Sequence, residues 1–261
     1  MTRLQAHRGV SSEYPENTMS AFRASVEQGY DIIEFDPKYT KDGKIVILHD
    51  RTVNRTGRTL DGEALAEETK ICDITFEQAR ELEYGSWFSP KFKGEQIPLL
   101  TDLLDFAKET KIPLKVDNVW ERFPEDIREE MFAQIASYGE EIKIGFTCAN
   151  LETLKIAADR FPYADIHYDG GDLSKERLDE VAKLASGHHL YVWVCFDNDM
   201  TKWFKGSKAN TELCKFVNGY GELGIWILSK RDELDPAIRD FNAEIIETTG
   251  HIKPEWLKDF E

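Results

Sequence analysis

The chain has few cysteines, fewer basic than acidic residues, and no long apolar run. The cysteines are Cys72, Cys148, Cys195 and Cys214. They include no CxxC pair and match no zinc-ligand spacing, so we expect reduced, mostly buried thiols. Lysine and arginine total 33 against 49 aspartate and glutamate residues, which gives a formal net charge of −16. Such a surface repels nucleic acid and anionic lipid, so we expect neither as a partner.

Membrane and targeting segments are also missing from the sequence pattern. No apolar stretch approaches the roughly 20 residues that a membrane-spanning helix needs. The N-terminal residues run directly into the first apolar segment, so we expect no signal peptide and no membrane insertion. These absences favour a cytoplasmic protein. With 261 residues, 41% of them apolar, the sequence predicts one domain, 1–261, with a sizeable core.

What the chain does contain is a regular alternation of strand-like and helix-like segments. Short apolar runs predict strands at residues 4–7, 32–36, 112–118, 142–146, 164–168, 190–196, 223–228 and 243–247. Because these runs are apolar throughout, they indicate strands covered on both faces, as in a parallel sheet. Helical patterns lie between them, at 19–28, 102–109, 125–138, 151–160, 174–185 and 237–241. This order predicts an α/β fold, the (β/α)8 or TIM barrel.

One stretch interrupts the alternation. A further strand is expected at 44–49, and residues from about 51 to 98 are irregular except for one capped helix at 75–82. We interpret this stretch as a small insertion after the second strand. Loops that follow the strands of such a barrel line its catalytic face, so we expect the insertion to cover the site.

Polar side chains end the first three predicted strands. His7 ends the first strand, and Glu34 and Asp36 end the second. Asp117 ends the third. Because catalytic groups of a barrel lie at these strand ends, the side chains should converge. Neighbouring carboxylates repel each other unless a cation lies between them, and oxygen ligation suits Mg²⁺, Ca²⁺ or Mn²⁺ better than zinc. The three carboxylates are therefore candidate ligands of one divalent cation.

Two histidines flank the carboxylate pair. His7 and His49 could act as acid and base on opposite sides of a phosphorus atom, each contributing roughly 10²- to 10⁴-fold. Arg8 could hold a phosphate oxygen. This set is equipped for metal-assisted phosphoryl chemistry. We expect a structural role for the remaining histidines, His167, His188, His189 and His251.

The motifs around these residues are specific as a set. In order and spacing, residues 4–104 resemble the glycerophosphodiester phosphodiesterase family through His7-Arg8-Gly9, Pro15-Glu16-Asn17-Thr18, Glu34-Phe35-Asp36, Thr40-Lys41-Asp42-Gly43, His49-Asp50 and Arg55-Thr56. The resemblance implies a barrel enzyme that cleaves a small glycerophosphodiester to glycerol 3-phosphate and an alcohol, usually with a divalent cation.

The resemblance also assigns roles to residues. His7 and His49 match the catalytic histidine pair, and Arg8 matches the arginine that contacts phosphate. Glu34 and Asp36 match two metal ligands. A neighbouring glycerol hydroxyl is expected to attack phosphorus, so that the reaction passes through a cyclic phosphate. We expect His7 to be the acid and His49 the base, although the sequence leaves the reverse assignment open.

The second half departs from the family pattern. The family has Glu-x-Lys at the end of the third strand, whereas this chain has Asp117-Asn118-Val119. A possible metal ligand is therefore retained, but a lysine is missing. Lys115, two residues earlier, either reaches towards substrate from deeper in the barrel or forms a salt bridge in its interior.

Two further positions leave the identity of the substrate undecided. Trp226, in the seventh strand, either packs against the substrate or belongs to the core, and Trp193 is an alternative for the same contact. Glu247 adds a carboxylate where the family has a Thr-Asp pair. A catalytically weak binding protein, or a lyase that releases a cyclic phosphate, therefore stays beside the hydrolase as an alternative. The sequence predicts neither the alcohol released nor the oligomeric state.

Overall fold

Strands and helices alternate along the chain, as its apolar pattern predicts. The computed structural model of the protein describes residues 1–260. Over that range the strands are β1 (Arg3–His7), β2 (Ile32–Phe35), β3 (Pro37–Tyr39), β4 (Ile45–Ile47), β5 (Arg58–Thr59), β6 (Leu82–Glu83), β7 (Leu114–Val116), β8 (Ile144–Cys148), β9 (Asp165–Tyr168), β10 (Leu190–Cys195), β11 (Glu222–Leu228) and β12 (Ile245–Thr248). The α-helices there are α1 (Met19–Glu27), α2 (Phe76–Arg80), α3 (Leu100–Thr110), α4 (Glu125–Ala136), α5 (Leu151–Arg160), α6 (Lys175–Leu184) and α7 (Thr211–Val217).

The parallel strands close into a barrel. Their order around it is β1, β2, β7, β8, β9, β10, β11 and β12, which pairs again with β1. Arg3 pairs with Ile245 across this closure, and His7 pairs with Glu34 on the other side of β1. Every residue of β2, β7, β8 and β10 is buried, as expected for strands covered on both faces. The predicted (β/α)8 barrel is confirmed, with one predicted run in each barrel strand.

Five of the seven α-helices of the described chain, α1, α2, α5, α6 and α7, begin at a polar side-chain cap. Thr18 accepts a hydrogen bond from the Ala21 N–H at 3.3 Å at the start of α1. The sequence prediction missed α7, whose cap is Asn210, and it expected an α-helix where the chain forms the π-helical turn Pro236–Asp240. Over residues 1–260, every helix is too short or too polar to traverse a bilayer.

The insertion begins earlier than its irregular sequence indicates. Directly after β2 the chain leaves the barrel and forms an antiparallel hairpin, in which Lys38 of β3 pairs with Val46 of β4. The insertion therefore spans 37–98. It has a small core of its own, formed by Val46, Leu48, Val53, Ile71, Ala79, Tyr84 and Ile97. The expected helix at 75–82 is α2, which begins with a reciprocal capping box between Thr75 and Gln78.

Candidate functional site

A cavity of about 650 Å³ opens at the carboxyl ends of the barrel strands. The predicted site residues that line it are His7, Arg8, Glu34, His49, Lys115, Asp117 and Trp226. Asp36, the remaining predicted residue, lies buried beside the wall and is 2% exposed. The fold therefore brings together predicted side chains that are up to 219 positions apart in the sequence, from His7 to Trp226.

A strained turn after β1 positions the first of these residues. Arg8 and Gly9 both adopt positive φ angles, 59° and 77°. A Cβ atom on Gly9 would lie 2.7 Å from the Cβ of Ala21, so only glycine fits there. The Arg8 N–H donates to the Glu34 side chain at 2.9 Å. The turn thus fixes Glu34 and the backbone of Arg8 together.

The Arg8 guanidinium is held by two carboxylates. Its NH1 donates to Glu16 at 3.1 Å, and its Nε lies 3.3 Å from Asp36. Asn17 also donates to Asp36, at 2.7 Å. Burial opposes the charge of Arg8, but Asp36 and Glu16 outweigh it and raise the pKa of Arg8. Arg8 is therefore a fixed cation at the cavity wall.

The network continues from Glu16 to His49 through Arg55. Arg55 donates to Glu16 at 2.7 Å and to Asp50 at 2.6 Å. Asp50 in turn lies 2.7 Å from His49 Nδ1, which leaves Nε2 of that ring available. Burial alone would raise the pKa of Asp50, but hydrogen bonds from Arg55 and His49 lower it to about 2. Asp50 is thus a carboxylate that orients His49.

His7 has a different environment. Its Nδ1 is buried and has no hydrogen-bond partner within residues 1–260. Burial lowers the pKa of His7 to about 4, against the opposing charge of Glu247. The ring is therefore neutral near pH 7 and keeps a lone pair.

A buried ion pair forms the floor of the cavity. Lys115 Nζ donates to Glu247 at 3.2 Å and lies 3.9 Å from the centre of the Trp193 ring. Gln5 also donates to Glu247. Lys115 and Glu247 are 4% and 5% exposed. The salt bridge expected for Lys115 in the barrel interior is present, and its side chain also lines the cavity, whereas its contact with a substrate stays a prediction.

Aromatic rings form one side of the cavity. The Trp226 ring lies 5.0 Å from Phe204 and 6.1 Å from Trp203, between ring centres. Its indole N–H is buried without a hydrogen-bond partner in the described chain. Trp226 thus lines the cavity, while Trp203 is 68% exposed at the rim.

Sequence reasoning missed two charged lining residues. Asp169 directly follows β9, so the strand-end rule that selected Asp117 could also have selected it. Burial, reinforced by Glu247, raises the pKa of Asp169 to about 6. Arg122 comes from the 3₁₀ turn Asn118–Arg122 after β7, and no signal in the sequence marks it.

The carboxylates have the chemistry of a cation site without its final arrangement. Burial and then Asp36 raise the pKa of Glu34 well above its usual range. Burial and Asp36 also raise the pKa of Asp117, to about 7. Over residues 1–260, no group of three or more His, Cys, Asp or Glu side chains is gathered into a ligand cluster. The oxygen donors and their mutual repulsion fit a divalent cation, and Asp36 is in addition engaged by Arg8 and Asn17.

Solved structures share this fold. A putative glycerophosphoryl diester phosphodiesterase from Silicibacter pomeroyi superimposes with a TM-score of 0.78 at 19% identity, covering 100% of this chain and 94% of that one. A phosphodiesterase from Oleispira antarctica, in complex with the product sn-glycerol-3-phosphate, gives a TM-score of 0.74 at 17% identity, covering 96% and 94%. At these identities the likeness shows the fold.

Sequence comparisons extend the likeness to the family. A protein of Bacillus subtilis described as uncharacterized protein YqiK is 30% identical over 72% of this chain and 75% of its own length. A glycerophosphodiester phosphodiesterase of Caldanaerobacter subterraneus is 33% identical over 63% of this chain and 65% of its own length. The model of the glycerophosphoryl diester phosphodiesterase family matches residues 7–220. The chain therefore belongs to the glycerophosphoryl diester phosphodiesterase family of enzymes.

Proposed function

We propose that the protein hydrolyses small glycerophosphodiesters to glycerol 3-phosphate and an alcohol. The observation that carries the proposal is the convergence of His7, Arg8 and His49 on one cavity, whose wall also holds Glu34 and Asp117. Imidazoles supply proton transfer and a guanidinium holds an anion, so this set matches the needs of a phosphodiester. A volume of about 650 Å³ lies within the usual range for a small-molecule site.

Arg8 is the group proposed to hold the phosphate. Glu16 and Asp36 fix its guanidinium before any substrate arrives, so little side-chain entropy is lost on binding. Lys115 is paired with Glu247 and almost fully buried, so we assign it to the support of the cavity floor. Arg8, which lines the cavity and matches the phosphate-contacting arginine of the family, is the proposed phosphate contact.

Their environments give the two histidines different roles in the proposal, the reverse of those expected from the sequence. His7, kept neutral by burial, accepts the proton of the neighbouring glycerol hydroxyl as that oxygen attacks phosphorus. His49, whose Nδ1 lies 2.7 Å from Asp50, donates a proton from Nε2 to the departing alcohol oxygen. The products of this step are the alcohol and a cyclic phosphate. In the second step the roles reverse, since His49 takes a proton from water and His7 returns one to the glycerol oxygen.

The cation would be held by Glu34, Asp36 and Asp117. Mg²⁺ or Ca²⁺ suits these oxygen ligands, and Mn²⁺ is also compatible. When bound, the ion neutralises charge on the non-bridging oxygens of the phosphate. Asp36 also pairs with Arg8, so this carboxylate would link the cation site to the phosphate contact.

The test is ³¹P NMR of glycerophosphodiester turnover, with EDTA and with added Mg²⁺ or Ca²⁺. We expect glycerol 3-phosphate to form only when the divalent cation is present. Accumulation of a cyclic phosphate would identify a lyase instead. Binding of the substrate without turnover would identify a binding protein, and turnover that EDTA does not reduce would contradict the cation requirement.

A further inference from the structure

A second depression lies beside the cavity, on the side of His49, and we name it the His49 groove. It encloses about 780 Å³ and includes Lys38, Arg51 and Lys70 in its wall. His49 and Arg122 line both the groove and the cavity, so the two spaces meet at these side chains. A molecule bound at the histidines can therefore extend from one space into the other.

The groove is positively charged in a strongly acidic protein. The chain has a formal net charge of −16, yet the groove combines Lys38, Arg51, Lys70 and Arg122 with a single carboxylate, Asp50. Within residues 1–260, none of these four cations pairs with a carboxylate at salt-bridge distance. Asp50 is already engaged by His49 and Arg55. Asp36 and Asp117 act on the charge of Lys38 without forming an ion pair with it, so the groove wall keeps an excess of positive side chains.

The insertion builds the outer part of this wall. The Ile71 N–H donates to the Arg51 carbonyl at 3.0 Å, and Thr52 and Lys70 form an antiparallel bridge. These contacts place Arg51 and Lys70 on adjacent chain segments, and both side chains are exposed. Both side chains also line the groove, so an anion at the rim can meet two cations.

Lys38 forms the inner part of the wall. It is 8% exposed, and its Nζ donates to the Pro37 carbonyl at 3.4 Å. An ammonium has three donors, so this buried group keeps unused capacity. Burial lowers the pKa of Lys38, while the charges of Asp36 and Asp117 oppose that shift.

We infer that the His49 groove binds an anionic group on the departing alcohol. The substrates that fit best are glycerophosphodiesters whose alcohol carries a carboxylate or a second phosphate. This inference rests on the proposed function, in which His49 donates its proton to the departing oxygen, because that alcohol then lies on the groove side. On the cavity side the wall carries Glu34, Asp117, Asp169 and Glu247, and Lys115 is already paired there, so a second anion finds no comparable group of free cations among the described residues.

Two substrates that differ by one carboxylate test the inference. They are glycerophosphoserine and glycerophosphoethanolamine, compared by kcat/KM with the whole protein. We expect wild type to favour the serine compound by about three- to tenfold, since each partly exposed ion pair contributes modestly. The double variant Arg51→Gln/Lys70→Gln should bring the ratio close to one. Added salt should also reduce the ratio, because screening weakens exposed charge pairs.

A matched control removes the same charge elsewhere. Arg23 and Lys44 are exposed and lie outside the groove, so Arg23→Gln/Lys44→Gln should keep the wild-type ratio. A wild-type ratio at or below one overturns the inference. So does a ratio that the groove variant and the control change equally.

Failure of the proposed function gives a separate result. If wild type turns over neither substrate, that function is wrong, and calorimetry with phosphoserine and phosphoethanolamine then tests the groove alone. Tighter binding of phosphoserine that disappears in Arg51→Gln/Lys70→Gln supports the anion subsite. Equal binding of the two compounds overturns it.

Discussion

The two histidines of the site are held by different forces. His7 ends a barrel strand whose preceding residues, Leu4 to Ala6, are buried, and it has a buried Nδ1 without a partner in the described chain. His49 follows β4 in the insertion, and its side chain is 39% exposed. Asp50, Arg55 and Glu16 form the chain of charges that orients it. Packing thus fixes one side of the site and ion pairs fix the other, which should give the two sides different sensitivities.

The largest expected effect is on turnover, and it should be similar on both sides. His7→Ala and His49→Ala should each lower kcat by about 10²- to 10⁴-fold, because each removes one proton-transfer group. Steady-state release of glycerol 3-phosphate measures the loss. His251→Ala is the control, since His251 is exposed and bonds to Thr249 at 2.7 Å outside the cavity. A histidine variant that keeps kcat within tenfold of wild type would remove that residue from proton transfer.

The next effect is on stability and belongs to the barrel side. Lys115→Met leaves Glu247 buried and unpaired, which should cost about 3–5 kcal/mol of unfolding free energy. Urea denaturation measures this change. Lys108→Met breaks a shorter but exposed pair, with Glu141 at 2.8 Å, and should cost less than about 1 kcal/mol. Equal losses in the two variants would show that burial of the Lys115 pair, at 3.2 Å, does not determine its contribution.

The barrel side was also the more predictable from sequence. Apolar runs mark all the barrel strands because burial on both faces demands them, and the polar residues that follow those runs locate the cavity. Asp169 follows the same rule and could have been selected with Asp117. Helix α7 was missed because its seven residues provide less than two helical turns of pattern.

The insertion side could be predicted less well. The motif spacing places Glu16, Asp50 and Arg55 near the site, but their pairing depends on where the hairpin and its small core direct the chain. Asp36 illustrates the limit. It follows the last residue of β2, Phe35, and contacts Arg8 and Asn17, two partners that the local sequence pattern does not indicate. Ion pairs between distant segments leave no local pattern in the sequence. The His49 groove was not predicted because its wall also combines residues from distant segments.

A smaller effect on turnover tests the orientation of His49. Asp50→Asn keeps the size of the side chain but removes its charge, so kcat should fall by about 10- to 100-fold with little change in KM. Asp50→Glu should recover part of the loss, because it restores a carboxylate near Nδ1. Asp73→Asn serves as an exposed control elsewhere in the insertion. A rise in KM with unchanged kcat would mean that Asp50 acts on substrate binding rather than on His49.

The smallest effect should come from Arg55→Gln. Arg55 is 41% exposed in its side chain, so losing its ion pairs should cost less than about 1 kcal/mol at pH 7. The cost should also depend on pH. Because the folded state lowers the pKa of Asp50 from 3.8 to about 2, the pair stabilises the protein above about pH 4 and loses this effect as pH falls towards 2. The difference in unfolding free energy between wild type and Arg55→Gln should therefore shrink over that interval.

Exposed Arg80 provides the matched control for this charge change, as Arg80→Gln. A difference that persists at pH 2 would instead assign the role of Arg55 to packing, since its guanidinium lies 5.7 Å from the Trp87 ring. In that case packing would hold His49 as it holds His7, and the contrast between the two sides of the site would disappear.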